Sequence, residues 1–288
     1  LESIASAPAT ATTLSVPPSA STILASPAKQ TWTNGAFTFT STVPFGPGGV
    51  EYYRYQFDQS PTYTWTGDEP AWTGGELQVS GTETGNNWYL HLKGYNSEGV
   101  PNGTLDLGPF YFDATPPTIG SVTLTPRMVA VGDMLHAVVS AEDDVDVTSV
   151  TANDAPLTKS GSDWVGDVPA AAPTGINHVT VVAKDAANNS VTDATASYRS
   201  ARILAASTKA VWDATIRNAC GIYLFKFCGR VTEIDDDRFT LSDGGVEPIT
   251  VYAPGYKSRV ATNDYATARG ILSPTGEVES AVEYVSKY

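Results

Sequence analysis

The chain has 288 residues, which at about 100–200 residues per domain indicates two or three domains. It carries 17 Lys and Arg against 31 Asp and Glu, and this acidic balance disfavours binding to nucleic-acid phosphates or anionic lipid surfaces. Three His and two Cys exclude a His-rich metal cluster and a disulfide-dense scaffold, and no apolar run approaches the roughly 18 residues of a membrane span. We therefore expect no nucleic-acid partner and no membrane insertion.

The N-terminal segment, residues 1–27, has the Ala-, Ser-, Thr- and Pro-rich composition of a flexible linker. It begins without a Met or a leader pattern, as expected of a mature product or a fragment. Two apolar patches in this segment, Leu14 with Val16 and Ile23 with Leu24, indicate short strands. A Pro-containing strand with little charge fits a sheet edge, either its own or that of a neighbouring molecule. We interpret the segment as an assembly arm.

Residues 28–115 predict an antiparallel β-sandwich. Alternating runs at 36–40, 53–57 and 88–93 are separated by turn sequences rich in Gly and Asn. In the last run, Trp88, Leu90 and Leu92 share one face and the residues between them share the other. A Pro pair then interrupts the pattern, which resumes over residues 116–198 and predicts a second sandwich.

Two short motifs give this region a family resemblance. The run Asp113-Ala114-Thr115-Pro116-Pro117 resembles the D-x-T-x-P link between bacterial Ig-like or fibronectin-III-like surface repeats. Residues 183–189 resemble the A-x-D-A-A-G-N turn of the same broad family, with Asn188 where Gly is usual; Asn tolerates that left-handed backbone almost as well. The resemblance covers residues 28–198. It implies an Ig-like fold and an extracellular or cell-surface location, and it says almost nothing about activity.

Residues 199–288 have a different character. The stretch 205–217 carries a loose apolar stripe and predicts the one short helix of the chain. The following succession G-x-V-T…F-T-L-S-D-G…I-T-V-Y-A…A-R-G-I-L resembles the OB-fold modules of bacterial secreted proteins, which implies a small Greek-key barrel. The sequence thus predicts an all-β protein: two Ig-like β-sandwiches in tandem and an OB-like barrel.

OB-folds often bind single-stranded nucleic acid, and Tyr223, Phe225 and Phe227 share one face of a predicted strand. The near-neutral charge of this module and the acidity of the whole chain argue against that function.

Both cysteines, Cys220 and Cys228, lie in the third module. In an exported chain this spacing predicts a disulfide closing a loop of about nine residues, and the alternative is two buried thiols. The bond requires a turn, because a fully extended strand would hold the two about 26 Å apart.

An acidic cluster suggests a calcium site. Glu142, Asp143, Asp144 and Asp146 offer oxygen ligands close in sequence, and they would meet Asp185 at the loop end of a sandwich. The run does not match an EF-hand loop, and the simpler interpretation is a solvated acidic loop.

Aromatic residues give the clearest binding signal. The segment 61–72 is too polar and too rich in Pro for a central strand, yet it contains Tyr63, Trp65 and Trp72. These rings could stack on sugar rings, with Asp68 and Glu69 accepting from hydroxyl groups. They could equally pack in a subunit interface, where Trp and Tyr are enriched, or simply cover the end of the sandwich.

Catalysis is not expected. His91, His136 and His178 lie in predicted strands of two different modules, and we interpret them as solvent-facing strand residues. No nucleophile elbow, zinc-protease motif, P-loop or dinucleotide fingerprint is present, and no carboxylate pair is supported by spacing. We therefore expect a non-enzymatic chain with no cofactor apart from the candidate calcium.

Two functions remain open. The first is an extracellular structural protein that assembles into a homo-oligomer or filament through its arm. The second is a glycan-binding or adhesive accessory region of a larger secreted carbohydrate-active protein. Asn102 and Asn188 match the N-glycosylation pattern, which alone does not decide their occupancy.

Overall fold

A computed structural model describes residues 12–209, 220–245 and 247–288. Its described residues are all-β, as the sequence predicts, and they form two sandwiches followed by a small closed barrel. Most of the predicted helix at 205–217 lies outside the described residues. Within the described part of the chain, no helix is long and apolar enough to span a membrane.

The first sandwich has eight strands. They are β1 (Ile23–Ser26), β2 (Trp32–Thr33), β3 (Phe37–Ser41), β4 (Tyr52–Asp58), β5 (Ala71–Trp72), β6 (Leu77–Val79), β7 (Gly85–Tyr95) and β8 (Pro101–Phe112). One sheet has the order β1-β3-β6 and the other β2-β8-β7-β4-β5.

Side-chain alternation explains how these two sheets pack. Phe37 and Phe39 of β3 are fully buried, and so is Tyr53 of β4. On β7, the residues predicted to share a face, Trp88, Leu90 and Leu92, all enter the same core. Aromatic rings fill much of this core, with Phe39 meeting Phe110 edge to face at 5.1 Å.

The second sandwich has eleven short strands. They are β9 (Thr118–Thr125), β10 (Met128–Ala130), β11 (Met134–Glu142), β12 (Val147–Ala152), β13 (Ala155–Pro156), β14 (Thr158–Ser160), β15 (Asp163–Pro169), β16 (Gly175–His178), β17 (Val181–Asp185), β18 (Ser190–Asp193) and β19 (Ser197–Ala201). They form sheets of order β14-β15-β11-β9, β13-β12-β17-β18 and β10-β19-β16. Strand β11 buries Leu135, Ala137 and Val139 in strict alternation.

The C-terminal module is a closed barrel. Its strands are β20 (Ile203–Ala205), β21 (Leu224–Glu233), β22 (Arg238–Ser242), β23 (Ile249–Tyr252), β24 (Tyr265–Leu272), β25 (Glu277–Glu279) and β26 (Val285–Lys287). Strands β21, β22, β23, β25 and β24 follow one another around the barrel, and β24 pairs back with β21. The described residues of the module also include the 3₁₀ turns Tyr256–Ser258 and Val282–Tyr284.

Two compact units divide these elements. The first comprises the described residues through Thr118 together with two loop segments, Glu142–Thr148 and Lys184–Val191. The second comprises Ile119–Ala141, Ser149–Ala183 and the described residues from Thr192 to Tyr288.

Candidate functional site

A group of carboxylates lies within the first compact unit. One carboxylate oxygen from each of Asp113, Asp143 and Asp144 lies within 4.8 Å of the other two. Asp113 directly follows β8, and the other two belong to the loop between β11 and β12. We call these residues, together with Asp185 at the end of β17, the carboxylate cluster.

Hydrogen-bond donors fix one oxygen of Asp113 and Asp185, which are buried, and of Asp143, which is half-buried. Asp113 Oδ1 accepts from the Thr115 amide and from the Thr84 hydroxyl, each at 2.8 Å. The Val145 amide donates to Asp143 Oδ1 at 2.9 Å, and the Asn189 amide to Asp185 Oδ1 at 2.8 Å. The remaining Oδ2 atoms of Asp113, Asp143 and Asp185 are buried and accept no hydrogen bond. Half of each carboxylate is thus held in place and half is left unsatisfied.

Like charges meet in this cluster. Burial raises the pKa of Asp143, and the negative charges of Asp113, Asp144 and Asp185 raise it further. Across the described residues, no Lys, Arg or His forms an ion pair with any of these four carboxylates. Among the described residues, the cluster therefore concentrates negative charge that no ion-paired Lys, Arg or His neutralises.

The structure changes the membership predicted from sequence. Asp143 and Asp144 come together with Asp113. Asp185 acts on Asp143 through its charge but, like Glu142 and Asp146, lies outside the group of closely spaced oxygens. Sequence reasoning missed Asp113 because it lies in the stretch interpreted as a link between domains. Its signal was Thr115 two residues later, since an Asp side chain commonly accepts from the backbone amide two positions on.

An aromatic surface lies on the outer face of the five-stranded sheet. Residues of β4 and β7 opposite one another alternate between the core and this face, which carries the stacked pair Tyr52 and Tyr95 at 4.9 Å. Lys93 Nζ lies 5.9 Å from the ring centres of both Tyr95 and Trp65. Trp65 meets Tyr63 edge to face at 5.1 Å. We call the half-buried rings of this face the aromatic strip: Tyr52, Tyr63, Trp65, Tyr89 and Tyr95.

The loop between β4 and β5 supplies two rings of the strip, and Glu69 organises that loop. Glu69 accepts from the Thr66 amide at 2.6 Å, the Thr66 hydroxyl at 3.0 Å and the Gly67 amide at 3.0 Å. Burial opposes ionisation of Glu69, but these hydrogen bonds outweigh it and lower its pKa to about 2. Glu69 is only 5% exposed, so it is a buried loop anchor and not the predicted acceptor for sugar hydroxyls.

Trp72 also differs from its prediction. It is 3% exposed, belongs to the sandwich core, and donates its indole N–H to the Gly75 carbonyl at 3.1 Å. Of the five residues predicted to contact a ligand, Tyr63, Trp65 and Asp68 remain at the surface.

His91 also differs from its prediction, because it was interpreted as a solvent-facing strand residue and that interpretation is wrong. It is fully buried, because Tyr63 covers it with a ring contact of 5.4 Å. Its Nδ1 lies 2.6 Å from Asp106 and its Nε2 3.3 Å from Asp58. Both ring nitrogens are therefore engaged within the protein. His136 and His178 are exposed, as expected.

The arm residues split into two groups. Ile23 and Leu24 lie in β1, which pairs antiparallel with β3 of the same sheet, and Ile23 enters the core. Leu14 and Val16 are exposed, while the Val16 amide donates to the Gly49 carbonyl at 2.9 Å. The described part of the arm thus lies along its own sandwich and occupies the edge of its own sheet.

The two cysteines do not form the predicted disulfide. Both are free thiols, Cys220 half-buried and Cys228 exposed. Cys220 lies in a turn, whereas Cys228 lies within β21 and opposes Thr267 of β24. The extended strand carries Cys228 away from the turn, which is the physical reason the bond is absent.

The aromatic face of the barrel is also internal. Phe225 and Phe227 are fully buried in the barrel core, with Tyr223 packed partly against it. These rings are therefore not a stacking surface for bases.

The two glycosylation motifs differ in the accessibility of their Asn side chains. Asn102 Nδ2 donates to the Ser15 carbonyl of the arm. Asn188 is exposed and adopts the left-handed conformation expected of it, with φ 69°.

No protein-family model matches the chain, and no curated protein matches it. Among solved structures, the fibronectin(III)-like modules of Clostridium thermocellum CbhA are similar over 62% of this chain and 94% of theirs, at 15% identity and a TM-score of 0.36. Murine CEACAM1b is similar over 62% of this chain and 98% of its own, at 14% identity and a TM-score of 0.32. Bacteroides ovatus SGBP-B, in complex with a mixed-linkage heptasaccharide, is similar over 89% of this chain and 67% of its own, at 12% identity and a TM-score of 0.20. At TM-scores this low, the similarities carry no argument about function.

Proposed function

We propose that this chain is a non-catalytic, extracellular module that binds carbohydrate on the aromatic strip. The observation that carries the proposal is a group of half-buried rings on the outer face of one sheet, among them the pairs Tyr52 with Tyr95 and Tyr63 with Trp65. Here Tyr52, Tyr95 and Trp65 are each only half-buried. Tyr52 and Tyr95 stack on one another, and Lys93 lies over the rings of Tyr95 and Trp65.

The chemistry of the strip suits a sugar chain. A pyranose ring has an apolar C–H face that packs on an aromatic face and hydroxyl groups around its rim. Trp65 and Tyr95 supply aromatic rings, and Lys93, whose Nζ lies 5.9 Å from the centre of each, supplies a hydrogen-bond donor. Asp68 is exposed in the same loop and supplies acceptors. A few polar groups among aromatic side chains is the usual composition of a small-ligand site.

Charge narrows the ligand class. The chain carries a net charge of −14, which repels an acidic polysaccharide. Lys93 is already shared between Trp65 and Tyr95, and Arg54 donates to the Glu69 carbonyl. Arg54 is thus already bonded to the protein, and Lys93 alone does not offset the negative charge of the chain, which favours a neutral glycan.

The absence of catalysis is supported by the state of His91. Catalytic proton transfer needs a ring nitrogen within reach of a substrate. His91 is buried beneath Tyr63, and carboxylates occupy both of its nitrogens. The resemblance of the 113–117 link to those of surface repeats supports an extracellular location.

Affinity electrophoresis tests the proposal. The full chain is run through gels containing neutral soluble polysaccharides (a β-glucan, a xylan or a galactomannan), beside Trp65→Ala and Tyr95→Ala. We expect one polysaccharide to retard the wild type and each substitution to abolish most of that retardation. Stacking on one ring is worth on the order of 1 kcal/mol or more, so affinity should fall at least about fivefold.

Tyr265→Ala is the matched control, since Tyr265 is an exposed tyrosine of the barrel. It should migrate like the wild type in every gel. Migration of the wild type unaffected by all three neutral polysaccharides would contradict the proposal, as would equal retardation of wild type and Trp65→Ala.

A further inference from the structure

We propose that Asp113, Asp143 and Asp144, with Asp185 nearby, form a calcium-binding site within the first compact unit. This site is separate from the aromatic strip, and the proposal does not depend on carbohydrate binding. It rests on the geometry of the cluster and on its unsatisfied buried oxygens.

Unpartnered oxygens are the first observation. Asp113 is fully buried and Asp185 is 2% exposed, yet Oδ2 of each accepts no hydrogen bond. Burying a carboxylate without a compensating partner is expensive. Among the residues described, the three carboxylate oxygens buried in this way all belong to the cluster, the third being Asp143 Oδ2. A cation bound among Asp113, Asp143 and Asp144 supplies the missing partner for the first two and a positive neighbour for Asp185.

Spacing is the second observation. Calcium binds oxygens at about 2.3–2.6 Å, so two ligands on opposite sides of one ion lie about 5 Å apart. The oxygens of Asp113, Asp143 and Asp144 lie within 4.8 Å of one another, which fits one ion between them. Asp185 is near enough for its charge to act on Asp143.

The ligands are also held in advance. The hydrogen bonds to Oδ1 of Asp113, Asp143 and Asp185 fix each side chain while leaving Oδ2 available. A further contact secures the loops, because Asn189 Nδ2 donates to the Asp113 carbonyl at 3.0 Å and Asn189 Oδ1 accepts from Asn34 at 2.9 Å. Supporting hydrogen bonds of this kind orient the ligands of metal sites.

The donor set selects the ion. All donors are carboxylate oxygens, which suit hard cations, whereas Zn²⁺ and Cu²⁺ sites use His and Cys ligands. Magnesium demands near-octahedral geometry and retains most of its water, so a site of three or four converging protein carboxylates favours calcium.

Titration calorimetry of the full chain, freed of metal by EDTA and dialysis, tests the proposal with CaCl₂ and MgCl₂ as probes. We expect one calcium per chain and a melting temperature that rises by several degrees in millimolar calcium. Asp113→Asn and Asp143→Asn keep the hydrogen-bonded oxygen but lose the charge, and each should weaken calcium binding at least about tenfold. Glu76→Gln removes an exposed carboxylate elsewhere in the same unit and should bind like the wild type.

A second readout separates lost binding from lost folding. Without calcium, Asp143→Asn relieves repulsion among the carboxylates, so it should melt no lower than the wild type. With calcium, it should lose the rise in melting temperature. Three results would overturn the proposal: no heat and no melting shift of the wild type at about 10 mM calcium, calcium binding by Asp113→Asn equal to wild type, or magnesium bound as tightly as calcium.

Discussion

Glu69 holds the loop that carries Tyr63 and Trp65, and replacing it with Gln isolates the contribution of its charge. The carboxylate receives three hydrogen bonds, from the Thr66 amide, the Thr66 hydroxyl and the Gly67 amide. Gln has nearly the same shape but only one acceptor oxygen. In the variant, the new NH₂ group must face one of the N–H donors that Glu69 satisfies.

The size of the effect follows from these contacts. Hydrogen bonds to a charged acceptor contribute about 1.5–3 kcal/mol, against about 0.5–1.5 kcal/mol for neutral pairs. Glu69→Gln loses the bond to one oxygen and weakens those to the other. We expect the free energy of unfolding of the first sandwich to fall by about 2–4 kcal/mol at pH 7.

The pH dependence gives this prediction its sign. The pKa of Glu69 is about 2 in the folded chain, below its ordinary value of 4.5. Stabilisation by the ionised carboxylate is therefore complete above about pH 4.5 and is lost as the pH falls towards 2. The difference between wild type and Glu69→Gln should stay constant from pH 7 to 5 and shrink below pH 4.5.

Urea unfolding followed by tryptophan fluorescence is a suitable assay, because Trp32, Trp65, Trp72 and Trp88 all belong to the first sandwich, out of six in the chain. Asp68→Asn is the control: Asp68 is exposed beside Glu69, and the change should stay within about 0.5 kcal/mol. A loss below about 0.5 kcal/mol in Glu69→Gln at pH 7, or a loss that persists unchanged at pH 2.5, would refute the anchoring role.

Two further predictions concern the arm and the cysteines. Deleting the chain through Ser26 removes β1, so the edge of β3 and the core around Ile23 are exposed to water; gel filtration should show aggregation, and a truncated monomer with the wild-type melting temperature would show that β1 contributes nothing. Cys220 and Cys228 are free thiols, so unreduced protein unfolded in denaturant should take up two alkyl groups by mass spectrometry, whereas no uptake would mean that they are disulfide-bonded.

Local pattern was sufficient for much of the fold. The period of two in 88–93 placed Trp88, Leu90 and Leu92 in the core, because a half-buried strand alternates its side chains. The all-β class followed from many such runs separated by turns. Local pattern also predicted that Asp143 and Asp144 lie near Asp185, because the loops at one end of a sandwich lie close in space. In the structure, the charges of Asp144 and Asp185 both act on Asp143.

The errors arise where a distant segment covers a residue. His91 occupies an outward strand position, and the loop bearing Tyr63 covers it. Trp72 belongs to a loop by composition but forms the short β5 and packs in the core. Asp113 joined the carboxylate cluster only through tertiary structure. Alternation reports which face a side chain occupies, and it contains no information on what later packs over that face.

Glu69 and the carboxylates of the cluster accept the same kind of local hydrogen bond, but they differ in whether the second carboxylate oxygen has a donor. Glu69, Asp113 and Asp143 each accept a backbone amide from a residue within three positions in the chain. In Glu69, both oxygens are satisfied by donors of the same loop, so its burial is explained by the folded chain alone. In Asp113 and Asp143 the second oxygen has no donor. The negative charges of Asp113, Asp144 and Asp185 also act on Asp143, so its ionised form lacks a positive neighbour among the residues described. Because a buried, unpaired charge is costly, the comparison indicates that the Glu69 loop is complete without a ligand and that the carboxylate cluster is not.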